Sequence, residues 1–319
     1  MQQNMQDRVT PDILAESAAR FGLKPDQVRP IGGGFQNVVY EFDRGILRLT
    51  HDSHRTPAAV ASELNYVCYL RENGVPVAAP VPSVRGELAE VVGEFTAAAF
   101  ERAQGRRPGH VEGLGTLGRI TGRMHALAKR YQAPAGFTRF VWHENSYLQH
   151  NVRAYIPESE IRVQETIART LQQIQRLPKD HDSYGLIHGD LFPGNYLIDD
   201  NGQFTLFDFD ECQYCWFIND IGVLLFYTVS HPDETSQADT ARFMTEFMAG
   251  YSAENALDPF WVKQLPLFVR LRQIILYANI HYMLARAGDL GKLHPWNQAV
   301  FNHARHTLAH DLPPIDYPF

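Results

Sequence analysis

The sequence predicts an α+β chain of two lobes, a small antiparallel-sheet N-lobe followed by a larger helical C-lobe. Three observations predict it. Short β-like segments joined by turn residues crowd residues 28–101, with one long helical stretch among them. A basic run holding Gly and Pro, Glu101-Arg102-Ala103-Gln104-Gly105-Arg106-Arg107-Pro108-Gly109, closes that region. Beyond it, apolar residues recur at three- and four-residue spacing, the period of helices packed on one side. The N-lobe is placed at residues 1–103 and the C-lobe at 104–319, and 319 residues suffice for two cores.

Thr10-Pro11-Asp12 starts the first helix. Thr is a good N-cap, Pro suits the first helical position, and Asp lies near the positive end of the dipole. That helix ends near Gly22. Strands are expected at 28–31, 37–42 and 46–50, the last two joined by the hairpin connector Asp43-Arg44-Gly45. Residues 57–71 have helical spacing, with Val60, Leu64 and Val67 on one face. The stretch 74–83, GVPVAAPVPS, reads as an extended connector, and 87–92 with 94–101 as a second hairpin. In the C-lobe, residues 111–131 carry Leu114, Leu117, Ile120, Met124 and Leu127 as a core stripe. Further helices are expected at 159–177, 216–230, 237–251, 260–287 and 294–310.

Chemistry concentrates in LIHGDLFPGNYLIDDNGQFTLFDFD, residues 186–210. Asp190 and Asn195 are five apart in a loop that Pro193 and Gly194 can turn toward one point. Asp208 follows 18 residues after Asp190, at the end of an apolar strand. Asp199-Asp200-Asn201-Gly202 between them is a hairpin signal. Phosphoryl transfer needs this inventory: one carboxylate to take the hydroxyl proton, and a second carboxylate with an amide oxygen to hold magnesium at the nucleotide phosphates. The bland alternative is a set of solvated turn residues.

His188-Gly189-Asp190-Leu191-x-Pro193-x-Asn195 with Phe207-Asp208-Phe209-Asp210 resembles the aminoglycoside-phosphotransferase and choline-kinase superfamily, an offshoot of the protein-kinase fold. Leu117-Gly118-x3-Gly122-x-Met124-His125 is similar to the family's helix before the catalytic loop. Gly74-Val75-Pro76-Val77-Ala78-Ala79-Pro80 and Trp142-His143-Glu144-Asn145 resemble a subset holding bacterial stress-response Ser/Thr kinases and homoserine-kinase-like proteins. The resemblance covers about residues 28–290 and implies a two-lobed protein-kinase-like fold with a five-stranded N-lobe sheet. It implies Asp190 as catalytic base, Asn195 and Asp208 as magnesium ligands, and ATP as donor. The family's breadth favours a small-molecule acceptor over a protein acceptor.

Two departures follow. Gly32-Gly33-Gly34 stands where the phosphate-covering loop belongs, without its usual spacing, although three glycines still let backbone N–H groups approach phosphate. The usual strand lysine is replaced by Arg48, which can pair with phosphate through a differently shaped fork. Glu63 on the following helix is its natural partner. The missing lysine keeps a nucleotide-binding pseudokinase as an alternative, beside a stress-response type protein kinase. His188 is expected to support the loop through hydrogen bonds. Asp220 is either an ordinary acid in a helix's first turn or a carboxylate bracing the catalytic loop. Asp210 is left without a role.

The net charge of −7 argues against nonspecific affinity for nucleic acid or anionic membranes. The N-terminus has no apolar signal core, no apolar run is long enough to span a bilayer, and three cysteines make no disulfide framework; a cytoplasmic location is expected. Cys212 and Cys215 form a CxxC, but a structural zinc site needs four ligands and no second pair exists. They read as ordinary thiols. The aromatic set Tyr214, Trp216, Phe217, Phe226 and Tyr227 reads as core by its spacing.

Overall fold

The computed structural model of the chain describes residues 5–31, 36–230 and 237–315. In chain order its strands are β1 (Arg29–Ile31), β2 (Asn37–Phe42), β3 (Gly45–His51), β4 (Pro80–Val81), β5 (Glu90–Val92), β6 (Phe95–Glu101), β7 (Tyr184–Ile187), β8 (Tyr196–Ile198), β9 (Phe204–Leu206) and β10 (Gln213–Trp216). Two compact units share the chain. One takes the described residues through Arg106 together with Tyr131–Arg139 and Tyr196–Asp210; the other takes Arg107–Arg130, Phe140–Asn195 and the residues from Glu211 onward. The division is therefore interleaved, not one cut near residue 103.

In the first unit, β1 to β6 form an antiparallel sheet in the order β1-β2-β3-β6-β4, with β5 also pairing β6. β4 is a sixth strand beyond the five expected. It lies inside the extended connector, and its proline is tolerated because β4 sits at the sheet's edge. Strand alternation divides the sheet's two faces. Val38, Tyr40, Leu47, Leu49, Ala97 and Ala99 pack with Ala18 of the helix Pro11–Arg20. Ala98 faces the other way, against Val60 and Leu64 of the helix Pro57–Glu72. Both helices start on threonine caps: Thr10 Oγ1 accepts the Ile13 N–H at 3.3 Å, and Thr56 Oγ1 the Ala59 N–H at 3.2 Å.

The β8–β9 hairpin belongs to this unit because its backbone is tied there. The Leu206 N–H donates to the Pro76 carbonyl and the Ala78 N–H to the Leu206 carbonyl, both at 2.8 Å; Arg106 and Ile198 exchange backbone bonds of 3.0 and 2.9 Å. Its turn is closed by Asp199, whose Oδ1 accepts the N–H groups of Asn201 and Gln203.

The second unit is helical, with the β7–β10 pair inserted. The helix Leu114–Ala128 meets the segment 243–254 at backbone distance. A Cβ at Gly118 would run into the Phe247 carbonyl, one at Gly122 into that of Tyr251, and one at Gly250 into that of Gly115. Two expected helices are broken. The first divides into Gln237–Arg242, a π-helical turn Phe243–Phe247, and Met248–Glu254. The second restarts at Leu265–Ala287 after Pro259–Val262, since Pro266 has no N–H and suits only a helix's first turn. Gly222 of the helix Ile218–Val229 lets Phe268 and Val269 of Leu265–Ala287 pack closely against it. Among the described residues no helix is long and apolar enough to cross a membrane.

Candidate functional site

Residues of the sequence-derived site fall in both units. The first unit holds Arg48, Glu63 and Asp208; the second holds His188, Asp190, Asn195 and Asp220. Gly32, Gly33 and Gly34 lie outside the described residues.

Arg48 alternates with Leu47 and Leu49 on β3, so it leaves the apolar face and points with Ala98 toward the helix Pro57–Glu72. Glu63 shares the helix stripe with Val60, Leu64 and Val67, all fully buried or nearly so. The two make a bidentate pair: Nη1 to Oε1 at 2.8 Å and Nη2 to Oε2 at 2.7 Å. Burial disfavours the guanidinium charge, but Glu63, with Asp210 and Asp208 behind it, outweighs that and holds the Arg48 pKa above its ordinary value. Asp208 lies 3.8 Å from Arg48 Nη1, its side chain about half exposed at 48%. Its φ of +63° is a left-handed conformation rare for a non-glycine residue, of the kind found at functional turns.

Asp210, two residues on, is buried. Its Oδ2 accepts from His54 at 2.6 Å and from the Asn37 amide at 3.3 Å, and Arg55 lies 3.6 Å from Oδ1. Arg139 donates to its backbone carbonyl. Burial would raise its pKa, but the His54 hydrogen bond and charge, with Arg55 and Arg48, hold the carboxyl well below the usual range. The segment carrying Asp208 is thus anchored by a residue that sequence reasoning left unassigned. Its partners lie 71 to 173 positions away in the chain.

In the second unit, β7 delivers the loop 188–195. The N–H groups of His188 and Gly189 both donate to Asp220, at 2.9 Å, one to each carboxylate oxygen. It is the backbone of His188 that reaches Asp220; its ring Nδ1 accepts the Asp190 N–H at 3.4 Å. Asp220 is fully buried and also bonds His125 Nε2 at 3.2 Å. His125 in turn bonds the Tyr251 hydroxyl at 2.9 Å and stacks on Phe217. Burial would raise the Asp220 pKa, but His125, His188 and the Gly189 N–H outweigh it and hold it low. Gly189 has φ +81°, and a Cβ there would strike the Glu211 carbonyl, so glycine is required. Asn145, in the segment noted for its family resemblance, donates to Glu211 Oε2 at 3.0 Å.

The Asn195 amide donates to the Asp190 carbonyl at 2.9 Å and to its Oδ2 at 3.2 Å. That commits the NH2 group and turns Oδ1 away, with no bond to it among the described residues. A neutral amide oxygen and the half-exposed Asp208 carboxylate are hard oxygen donors, the class that suits magnesium or calcium. By its donor chemistry, each of the two residues suits a divalent cation. Arg272, unremarked in the sequence, contacts Asp190 Oδ1 at 2.6 Å. Its only sequence signal is a charge inside an otherwise apolar helical stretch. Cys212 and Cys215 are buried free thiols, and burial pushes the Cys215 pKa up.

Residues 27–260 match the family model described as the phosphotransferase enzyme family. An amicoumacin kinase from Bacillus subtilis (strain 168) is 38% identical over 288 residues, covering 85% of this chain and 84% of that protein. The solved structure of an amicoumacin kinase in complex with AMP-PNP, Ca2+ and Ami superposes with a TM-score of 0.88 at 30% identity, over 100% of this chain and 98% of that one. A microcompartment-associated aminopropanol kinase shares the fold, with a TM-score of 0.74 at 23% identity over 95% of this chain and 98% of that one. These relatives are kinases of small molecules by name. With a protein-kinase-like α+β fold and a family match over most of its length, the chain belongs to the phosphotransferase enzyme family.

Proposed function

We propose that the chain is an ATP- and magnesium-dependent kinase that moves the γ-phosphoryl group to a hydroxyl of a small molecule, with amicoumacin as the first acceptor to test. Asp190 takes the hydroxyl proton, Asn195 and Asp208 hold the cation, and Arg48, kept in place by Glu63, contacts the nucleotide phosphates, as do Gly32, Gly33 and Gly34. His188 and Asp220 support the Asp190 loop. A bound divalent cation supplies charge neutralisation at the phosphates.

The observation that carries this reading is the Asp190–Asn195 loop. Its backbone is fixed on a buried carboxylate, its base is 24% exposed, and its amide NH2 is committed to Asp190, which leaves the amide oxygen available. A loop built only as a turn has no use for the buried acid. The amicoumacin kinase relatives favour a small acceptor over a protein, and the retained base and amide argue against a pseudokinase. Buried or half-buried free thiols suit a cytoplasmic location.

The test is ADP release by the purified chain with MgATP and, separately, amicoumacin, 1-amino-2-propanol, choline and casein. Turnover is expected with a small acceptor, and Asp190→Asn is expected to bind ATP while losing it. Acceptor-dependent release with casein alone, or none with any acceptor while ATP still binds, sinks the reading.

A further inference from the structure

Arg272 stands in the middle of the helix Leu265–Ala287, 8% exposed, beside Leu271 and Ile274. Burying a guanidinium is costly even after relaxation, so its partners matter. Nearby Arg270 shows one solution: it bonds the Gln273 side chain and the Leu312 backbone carbonyl, and burial pulls its pKa down. Arg272 has another arrangement. Its Nη2 donates to Asp190 Oδ1 at 2.6 Å and to the Tyr227 hydroxyl at 2.7 Å, with the guanidinium carbon 5.0 Å from the Tyr227 ring centre. Burial opposes its charge, but Tyr227 and Asp190 outweigh that and hold its pKa above the ordinary value. Tyr227 is itself fixed, stacked on Trp296 at 5.6 Å with Phe192 5.1 Å away. Trp296 is pinned by its Nε1 bond to the Ser230 carbonyl at 3.0 Å.

A buried cation held rigidly on one oxygen of a partly exposed carboxylate leaves that carboxylate a single orientation. We propose that Arg272 is a positioning residue for phosphoryl transfer, turning Asp190 so that Oδ2 receives the acceptor's proton. This rests on Asp190 being the base. Oδ1 is engaged by the guanidinium, whereas among the described residues Oδ2 is held only by the Asn195 amide at 3.2 Å and keeps a lone pair for the acceptor. In the step, the acceptor O–H bond breaks and its proton passes to Oδ2 as the acceptor oxygen bonds the γ-phosphorus. The bond from that phosphorus to the β,γ-bridging oxygen breaks, ADP leaves with the electron pair, and Oδ2 later gives its proton to water. Tyr227 acts one remove further back, by holding the guanidinium.

The test uses the full chain with MgATP, following ADP release with amicoumacin and with water alone as acceptor. Arg272→Gln is expected to lower kcat about 100-fold, the loss that a misplacement near 1 Å produces, with the ATP KM within about twofold. Arg272→Lys restores part of that loss, because an ammonium still reaches Oδ1. Tyr227→Phe lowers kcat by a smaller factor, and carries the test with Arg272→Lys where Arg272→Gln does not fold. An arginine serving only the fold would reduce stability and active fraction but leave kcat per active site, counted by stoichiometric nucleotide binding, at the parent value. A kcat for Arg272→Gln within twofold of the parent, or a loss that follows the ATP KM, overturns the proposal. Asp190→Asn separates the two levels. If it keeps the parent rate, the base assignment fails and this inference with it; if it is inactive while Arg272→Gln stays within twofold of the parent kcat, only the inference fails.

Discussion

Asp220→Asn removes one charge and swaps one oxygen for an NH2 group, a change of almost no volume. The parent carboxylate gives one oxygen to the His188 N–H and the other to the Gly189 N–H, both at 2.9 Å, and also bonds His125. Whichever way the asparagine turns, one backbone N–H faces another donor. An orphaned buried donor costs about 1–3 kcal/mol, and loss of charge assistance on the remaining bonds adds about 1 kcal/mol. The variant should therefore lose about 2–4 kcal/mol, a large share of a typical domain's 5–15 kcal/mol. Urea unfolding measures it. The pH dependence follows from the low folded-state pKa of Asp220. Its stabilisation is fully present above the unfolded carboxyl pKa of about 4 and fades as pH falls through the lower folded value. The gap between parent and variant should hold from pH 8 to 5 and narrow only below about pH 4. A variant within about 0.5 kcal/mol of the parent at pH 7 would refute the reasoning, that being the usual range for an inconsequential substitution. So would a gap that closes between pH 8 and 6.

Arg48→Lys keeps the charge but can engage only one Glu63 oxygen well, leaving the other buried and unpaired. It should cost about 1–3 kcal/mol in chemical denaturation, and unchanged stability would show that the fork is not used. Cys212 and Cys215, 0% and 1% exposed, should resist a thiol-specific chromogenic reagent in the native protein and react fully in denaturant. Prompt native labelling of Cys215 would show that β10 opens, and of Cys212 that the residue just before that strand does.

Local chemistry was legible in the sequence because its signals are local. Thr10 caps its helix within three residues of itself, and Asp199 closes its own turn. The family resemblance, which put Arg48 at the strand lysine's position and Glu63 on the helix that follows, was enough to expect the bond that forms. Asp220 was left open between two roles; its contacts to the N–H groups of His188 and Gly189, 32 and 31 positions away, are those of the bracing one. Asp210 and Arg272 resisted because their partners are remote and ordinary in type. Nothing near His54 marks it for Asp210, 156 positions on, and nothing near Asp190 marks Arg272, 82 positions on. The helix breaks were partly readable: Pro266 is a visible start signal, whereas the π-helical turn Phe243–Phe247 carries no local mark beyond its stacked aromatic pair.

The glycine seam between Leu114–Ala128 and the segment 243–254 inverts a common rule of protein engineering. Replacing a mid-helix glycine by alanine ordinarily gains about 0.5–1 kcal/mol, and a thermostabilisation campaign guided by helix propensity would choose Gly118, Gly122 and Gly250 among its first targets. At each of them the added methyl would meet a backbone carbonyl of the facing helix, which has no rotamer to yield. Separating the helices would move Tyr251 from His125, and His125 from the acid beneath the Asp190 loop. Heat tolerance in this chain therefore has to be sought on its outer helical faces, because the seam's poor helix formers are what let the interior close.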